Sequence, residues 1–373
     1  MTPVMLAGPA PGRGDARSTR WNAPPTRLPG APTFADMVLV DAHAHILPRD
    51  PEVDRLARRD ALPRVESTDR GGVILRGESV FREVRSSLWD LGDRVSELDA
   101  AGVEVQLVSP VPVVLELEAA LATDYLRAVN VAVARDVAES DGRLRGLGGV
   151  SLNRPDAAVD LLVHAVEDLG LDGVEIGASG PGIELDDPRL RPFFEAADAL
   201  DALVMVHPLG GGAGAVRRSG QPYDFGLGML TDTAMAASAL VFGGVLDACP
   251  RLRVLLSHGC GTFAWALPRL SMGTALGGDS SSGEHRALAR RLWVDTLVFD
   301  PTLLGVVADR FGVDHLVLGT DHPFIGDELN LGAGRIRSAV AAGVLPDAAL
   351  DGVLGANASA LLGLGERVSG VRG

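Results

Sequence analysis

Val38-Leu-Val-Asp-Ala-His43-Ala-His45 is a short apolar run closed by two histidines two residues apart. On a strand, side chains at i and i+2 share one face, so both imidazoles can reach a single metal ion. The pattern of an apolar run ending in a ligand returns three times. His207 follows Leu203-Val-Met-Val206, His258 follows Val254-Leu-Leu256, and Asp321 follows Leu316-Val-Leu-Gly-Thr320. Nitrogen and oxygen ligands at successive strand ends are what a catalytic divalent metal site needs.

Outward from these runs, apolar strands at 38–42, 103–109, 145–151, 172–177, 202–207, 252–257, 292–298 and 315–320 alternate with amphipathic helices. The helices fall near 91–101, 114–138, 155–169, 188–200, 226–248, 260–274 and 301–311, with more from about 331. Continuous apolar strands between helices predict a parallel sheet buried on both faces. Eight of them, with polar ligands at their C-terminal ends, predict an α/β fold of the (β/α)8 TIM barrel type. An open doubly wound sheet would need a Gly-rich phosphate turn after the first strand, and that position holds His45-Ile-Leu-Pro48.

Two stretches break the rhythm. Between His45 and Leu91 the chain is far longer than an ordinary βα loop. Within it, Gly71-Gly-Val-Ile-Leu-Arg-Gly-Glu78 and Val80-Phe-Arg-Glu-Val-Arg85 read as a β-hairpin, so an inserted lid domain is expected at about 48–88. Gly210-Gly-Gly-Ala-Gly-Ala-Val-Arg-Arg-Ser-Gly220 reads as a flexible loop at the catalytic face and a candidate gate. Residues 1–36, rich in Pro, Gly, Ala and Arg, read as a flexible extension ahead of a barrel spanning 37–373.

The chain has 373 residues, 46% of them hydrophobic, enough for a large core, and a net charge of −15. That charge argues against nucleic acid or an anionic membrane as partner, so an anionic substrate must be met by local arginines. Cys249 and Cys260 are the two cysteines. They form no zinc-knuckle or disulfide spacing, which suits a reducing cytoplasm. No apolar run is expected to span a membrane, and no secretory signal is expected at the N-terminus.

His43, His45, His207 and Asp321 are the expected metal ligands. His258, in Ser257-His-Gly-Cys-Gly-Thr-Phe263, is read as a general acid/base in preference to a further ligand or a core histidine. By position alone, Arg82 and Arg269 could bind a carboxylate or simply face solvent. Glu175 could face the barrel interior as a site residue or as a buried structural carboxylate. His322 is expected to point away from Asp321 as a supporting hydrogen-bond partner, and Cys260 to be a passive small residue.

At these residues the chain resembles the amidohydrolase superfamily. Val206-His-Pro208, Ser257-His-Gly259 and Gly319-Thr-Asp-His-Pro-Phe324 join the His43-Ala-His45 pair as its marks. Val80–Arg85 with Trp89-Asp90, Leu98-Asp-Ala-Ala-Gly-Val103, Val108-Ser-Pro-Val-Pro-Val113, Phe242-Gly-Gly-Val245 and Asp295-Thr-Leu-Val-Phe-Asp-Pro301 resemble its aminocarboxymuconate-semialdehyde decarboxylase branch. The resemblance implies a decarboxylase using Zn2+ or another divalent metal, acting on a small unsaturated or aromatic (di)carboxylic acid and working as a homodimer. His43, His45, His207 and Asp321 match the branch's ligands, and His258 matches its catalytic histidine. Arg82 matches a substrate-carboxylate arginine, and Arg269 one that reaches the neighbouring subunit's site. The chain departs from the pattern at Leu209 (an aromatic), Cys260 (a glycine), His322 (a tyrosine) and Glu175 (a neutral amide), which leaves the substrate open. A metal-dependent hydrolase or hydratase of a small carboxylated lactone, amide or enol acid is the alternative.

Overall fold

The computed structural model describes residues 38–364, apart from 70, 118, 213–214 and 279–281. The 1–36 extension expected to be flexible lies outside the described residues. Eight parallel strands form one sheet in the order β1 (Val40–Ile46), β5 (Val105–Pro110), β6 (Leu144–Val150), β7 (Gly173–Gly177), β8 (Leu203–His207), β9 (Arg253–Leu256), β10 (Trp293–Asp295) and β11 (Leu316–Val317). The intervening β2 (Pro63–Thr68), β3 (Gly71–Arg76) and β4 (Ser79–Val84) make a separate antiparallel sheet.

The barrel closes where β1 meets the chain around β11. Ala42 N donates to Leu318 O at 2.8 Å, Asp321 N to His43 O at 2.8 Å and His45 N to His322 O at 2.7 Å. The seam that closes the barrel therefore also sets three expected ligands side by side.

The continuous apolar runs follow from burial on both faces. Val40, Ala42, Leu107, Leu147, Leu203, Met205, Leu255 and Val317 fill the barrel interior. Alternate residues such as Val174, Ile176, Val204, Val206, Val254 and Leu256 pack outward under the helices. Such double burial is what a parallel sheet requires.

Two expectations need correction and one an addition. The expected hairpin is present as β3 and β4, and the insertion adds ahead of it a helix, Pro51–Asp60, and the strand β2. The Asp50 side chain caps that helix at the Glu52 amide, 2.8 Å away. The expected strand 292–298 ends at Asp295, because the Asp295 carboxylate accepts from Leu297 N at 3.0 Å and turns the chain. The 19-residue helical run Asp224–Phe242 is, against expectation, long and apolar enough to cross a membrane, with a mean hydropathy of 1.4 in an 18-residue window of which 44% is buried. Ala234, Ala236, Ala237, Leu240 and Val241 on it are buried in the core that surrounds the barrel.

Candidate active site

β1, β8 and the loop after β11 deliver four donors to one point. His43, His45, His207 and Asp321 are all buried, and one ligand atom from each lies within 4.8 Å of the others. His43 Nε2 and His45 Nε2 are 3.3 Å apart, and His45 Nε2 is 3.2 Å from Asp321 Oδ1. His207 Nε2 and Asp321 Oδ1 are buried without a well-formed hydrogen bond among the described residues. Buried polar atoms are costly when unmet, so orphaned nitrogen and oxygen atoms converging beside two more imidazoles fit a divalent cation. Three histidines and one carboxylate form a borderline-soft set of the kind that holds zinc or manganese.

Each imidazole is held from behind. His43 Nδ1 meets Asp295 Oδ2 at 2.6 Å, His207 Nδ1 meets Pro208 O at 2.8 Å, and His45 Nδ1 meets Ser109 Oγ at 3.3 Å. With Nδ1 occupied, Nε2 is presented to the metal. Burial lowers the pKa of His45 and His207, keeping both as neutral donors. Burial opposes the charged form of His43 as well, but the Asp295 hydrogen bond and charge prevail and lift it to about 9. Burial alone would raise Asp321, yet the His45 ring and the other histidines hold its carboxyl well below the usual range.

Asp295 does more than hold His43. Its Oδ2 accepts from His258 N and its Oδ1 from Gly259 N, each at 2.9 Å. These bonds pin a run of left-handed backbone: His258 at φ +57°, Gly259 at +61°, Cys260 at +65° and Gly261 at +56°. A Cβ on Gly259 would come within 2.4 Å of Val298 Cγ1, so a glycine is required there. Non-glycine residues in this region carry strain, and His258, Cys260, Phe299 and Asp321 all do so around the mouth. The His258 ring lies 5.1 Å from His207 and 5.4 Å from His43, beside the donor set but outside the group of four. Burial and the nearby His43 charge lower His258 to about 4.

Arg82 comes to the same place. Its guanidinium lies 4.4 Å over the Phe324 ring and donates to Phe324 O at 3.2 Å, and the Phe324 ring is 5.5 Å from that of His45. Burial lowers the Arg82 pKa, with the Asp321 charge opposing. Arg269 does not join this group. It is exposed on the helix Phe263–Leu276 and lines a cleft of about 560 Å³ with Ser238, Phe242, Ala266 and Leu270.

Glu175 on β7 does face the interior. It is fully buried, with neither oxygen in a well-formed hydrogen bond, and burial raises it to about 8. A cation in the adjacent donor set acts in the opposite direction. His322 points away from the donors, as expected, and bonds Glu97 Oε2 at 2.6 Å. Cys260 is buried, and burial raises its thiol far above the ordinary value, as suits a passive residue. The Leu209 side chain covers Gly177, where a Cβ would come within 2.3 Å of it.

Several supporting residues escape a reading of sequence. Buried Arg94 bonds Gln106 Oε1 at 2.6 Å and His45 O at 2.5 Å. Gln106 and Thr320 in turn donate to Asp41 Oδ2 at 2.7 and 2.6 Å. Asp295, Ser109 and Arg94 come from separate elements, with no shared spacing to flag them. Asp295 and Ser109 lie in stretches that resemble the branch, but nothing in those stretches points to a role for either.

A closed parallel barrel with this donor set at its C-terminal mouth defines a metal-dependent enzyme. The amidohydrolase family matches residues 40–364, and the chain belongs to that family. It is 30% identical over 336 residues to the 2-amino-3-carboxymuconate-6-semialdehyde decarboxylase of Dictyostelium discoideum, covering 87% of this chain and 91% of that protein. The fold is shared with 5-carboxyvanillate decarboxylase from Sphingomonas paucimobilis, at TM-score 0.72 and 24% identity over 88% of this chain and 99% of that one. It is shared too with a dihydroxybenzoic acid decarboxylase from Polaromonas sp. JS666, solved with bound manganese and 2-nitroresorcinol, at TM-score 0.67 and 20% identity over 88% and 97%. Within the family the chain falls in the aminocarboxymuconate-semialdehyde decarboxylase branch, among metal-dependent carboxy-lyases.

Proposed function

We propose that the protein decarboxylates a small unsaturated or aromatic (di)carboxylic acid, with zinc as the resident metal, in the manner of aminocarboxymuconate-semialdehyde decarboxylase. The observation that carries this reading is the convergence, at one barrel mouth, of the four-donor set, the neutral His258 and the guanidinium of Arg82. A divalent metal held by His43, His45, His207 and Asp321 would supply Lewis acidity toward negative charge developing on the substrate. Arg82 binds a substrate carboxylate through its planar fork. His258, held neutral by burial, takes up a proton from solvent and delivers it to the carbon that bears the leaving carboxylate. The carbon–carbon bond breaks, its electron pair passes into the conjugated system, and carbon dioxide leaves.

A homodimer belongs to the same reading. Trp265, Met272 and Leu276 are 82%, 60% and 83% exposed, and at spacings of seven and four they lie with Arg269 along one face of their helix. Solvent is a poor neighbour for such a face, whereas a second copy would cover it and carry Arg269 toward the other mouth. Both cysteines are free and buried, which supports a cytoplasmic location.

The test is a product screen. The metal-loaded protein is incubated with carboxylated aromatic and muconate-like acids, and products are identified by NMR. Loss of one carboxylate supports the proposal, whereas addition of water to a lactone, amide or enol acid would make the protein a hydrolase or hydratase.

A further inference from the structure

We propose that Ser257 is a specificity-determining residue whose hydroxyl donates a hydrogen bond to a hydroxyl or enol oxygen that the substrate carries beside its leaving carboxylate. The assignment rests on the decarboxylase reading above and narrows its substrate class. Ser257 directly follows β9, and its backbone is still extended, at φ −72° and ψ 162°. Strand alternation therefore continues through it. Leu255 points into the barrel interior, so Ser257 does too, one layer nearer the mouth. Ser257 N donates to Val206 O at 3.3 Å, which sets the residue beside His207. On the other side Val294 pairs with Leu256, which brings Asp295 level with Ser257. The hydroxyl thus stands between a metal donor and the carboxylate that holds His43.

Asp295 is satisfied by the His258, Gly259 and Leu297 amides and the His43 ring. Ser257 Oγ is fully buried yet has no well-formed hydrogen bond among the described residues. It shares that condition with His207 Nε2 and Asp321 Oδ1, two atoms of the donor set whose partner folding does not supply. Alanine would fill the same space without the cost of an unmet hydroxyl, so the hydroxyl points to a bound partner. Chemistry narrows that partner. A substrate carboxylate carries a full charge on two oxygens, which the Arg82 fork meets. A serine hydroxyl offers one hydrogen, matched to a single oxygen. Ser257 is next in the chain to His258, which serves the carbon bearing the leaving carboxylate, so the oxygen it meets belongs on the adjacent carbon.

Zinc-loaded wild-type protein and Ser257→Ala are titrated calorimetrically with 2-hydroxybenzoate and with benzoate, and Tm and bound zinc are measured alongside. Wild-type protein should bind 2-hydroxybenzoate the more tightly. Ser257→Ala should bind it ~10-fold more weakly, the size of one hydrogen bond. Benzoate binding and zinc content should stay unchanged, with a Tm equal to or above wild type. An undiminished preference for 2-hydroxybenzoate in Ser257→Ala would overturn the proposal. So would equal losses for both acids, a lowered Tm with binding intact, or binding of neither acid by the wild type. Should Ser257→Ala fail to fold, Ser257→Gly is judged by the same outcomes. The product screen tests the underlying reading separately. Water addition there, with Ser257-dependent binding of 2-hydroxybenzoate here, would sink the decarboxylase reading and support Ser257 as the residue that reads the hydroxyl.

Discussion

The barrel mouth and the outer face of the helix Phe263–Leu276 both present an arginine, and they treat it in opposite ways. At the mouth, Arg82 is stacked on Phe324 and bonded to its carbonyl, within the field of Asp321. On the helix, Arg269 is exposed beside a bare row of Trp265, Met272 and Leu276. The mouth arginine is thus held in place by contacts within its own chain. The helix face is exposed and apolar, and under the proposed homodimer it is an interface, so the two regions predict different kinds of failure on mutation.

The largest effect should come from the donor set. Asp321→Asn or His207→Ala should abolish activity and bound metal together, as read by elemental analysis of the dialysed protein. Activity surviving without metal would break the account of the mouth. His258→Ala should lower kcat by ~10²–10⁴-fold, the range of a general acid or base, with the metal retained. Loss of metal in that variant would move His258 into the ligand set.

On the helix face, Trp265→Glu combined with Leu276→Glu should convert a dimer to monomers in sedimentation velocity. Activity should fall with it, since Arg269 then reaches no second mouth. Arg269→Ala should lower activity while the dimer persists. Full activity in a monomer would confine catalysis to one chain. The smallest effect is expected from Arg82→Lys, which keeps the charge but loses the fork. Its KM should rise by about 10-fold, equivalent to about 1.4 kcal/mol, with kcat less affected.

The sequence exposes the barrel because both faces of each strand are buried, leaving runs such as Leu203–Val206 without polar interruption. It exposes the metal donors because each closes such a run. β2 escapes notice because Pro63-Arg-Val-Glu-Ser-Thr68 mixes charged and apolar residues, with its first half buried and its end exposed. Asp295 is hidden for a different reason: its importance lies in three bonds made after folding, to His43, His258 and Gly259. Arg82 and Arg269 cannot be separated by local pattern, since each is one arginine in an ordinary amphipathic element. Only the fold sets one beside Phe324 and the other on an outer helix.

The most direct test couples carbon dioxide to metal. The protein is stripped with chelator, reloaded with zinc or manganese, and given freshly generated aminocarboxymuconate semialdehyde together with carboxylated aromatic acids. Carbon dioxide is counted against substrate consumed. The account predicts no turnover by the stripped protein and one carbon dioxide per substrate lost after reloading, for at least one of these acids. Substrate consumed by the reloaded protein without carbon dioxide, or carbon dioxide released equally without metal, would contradict it.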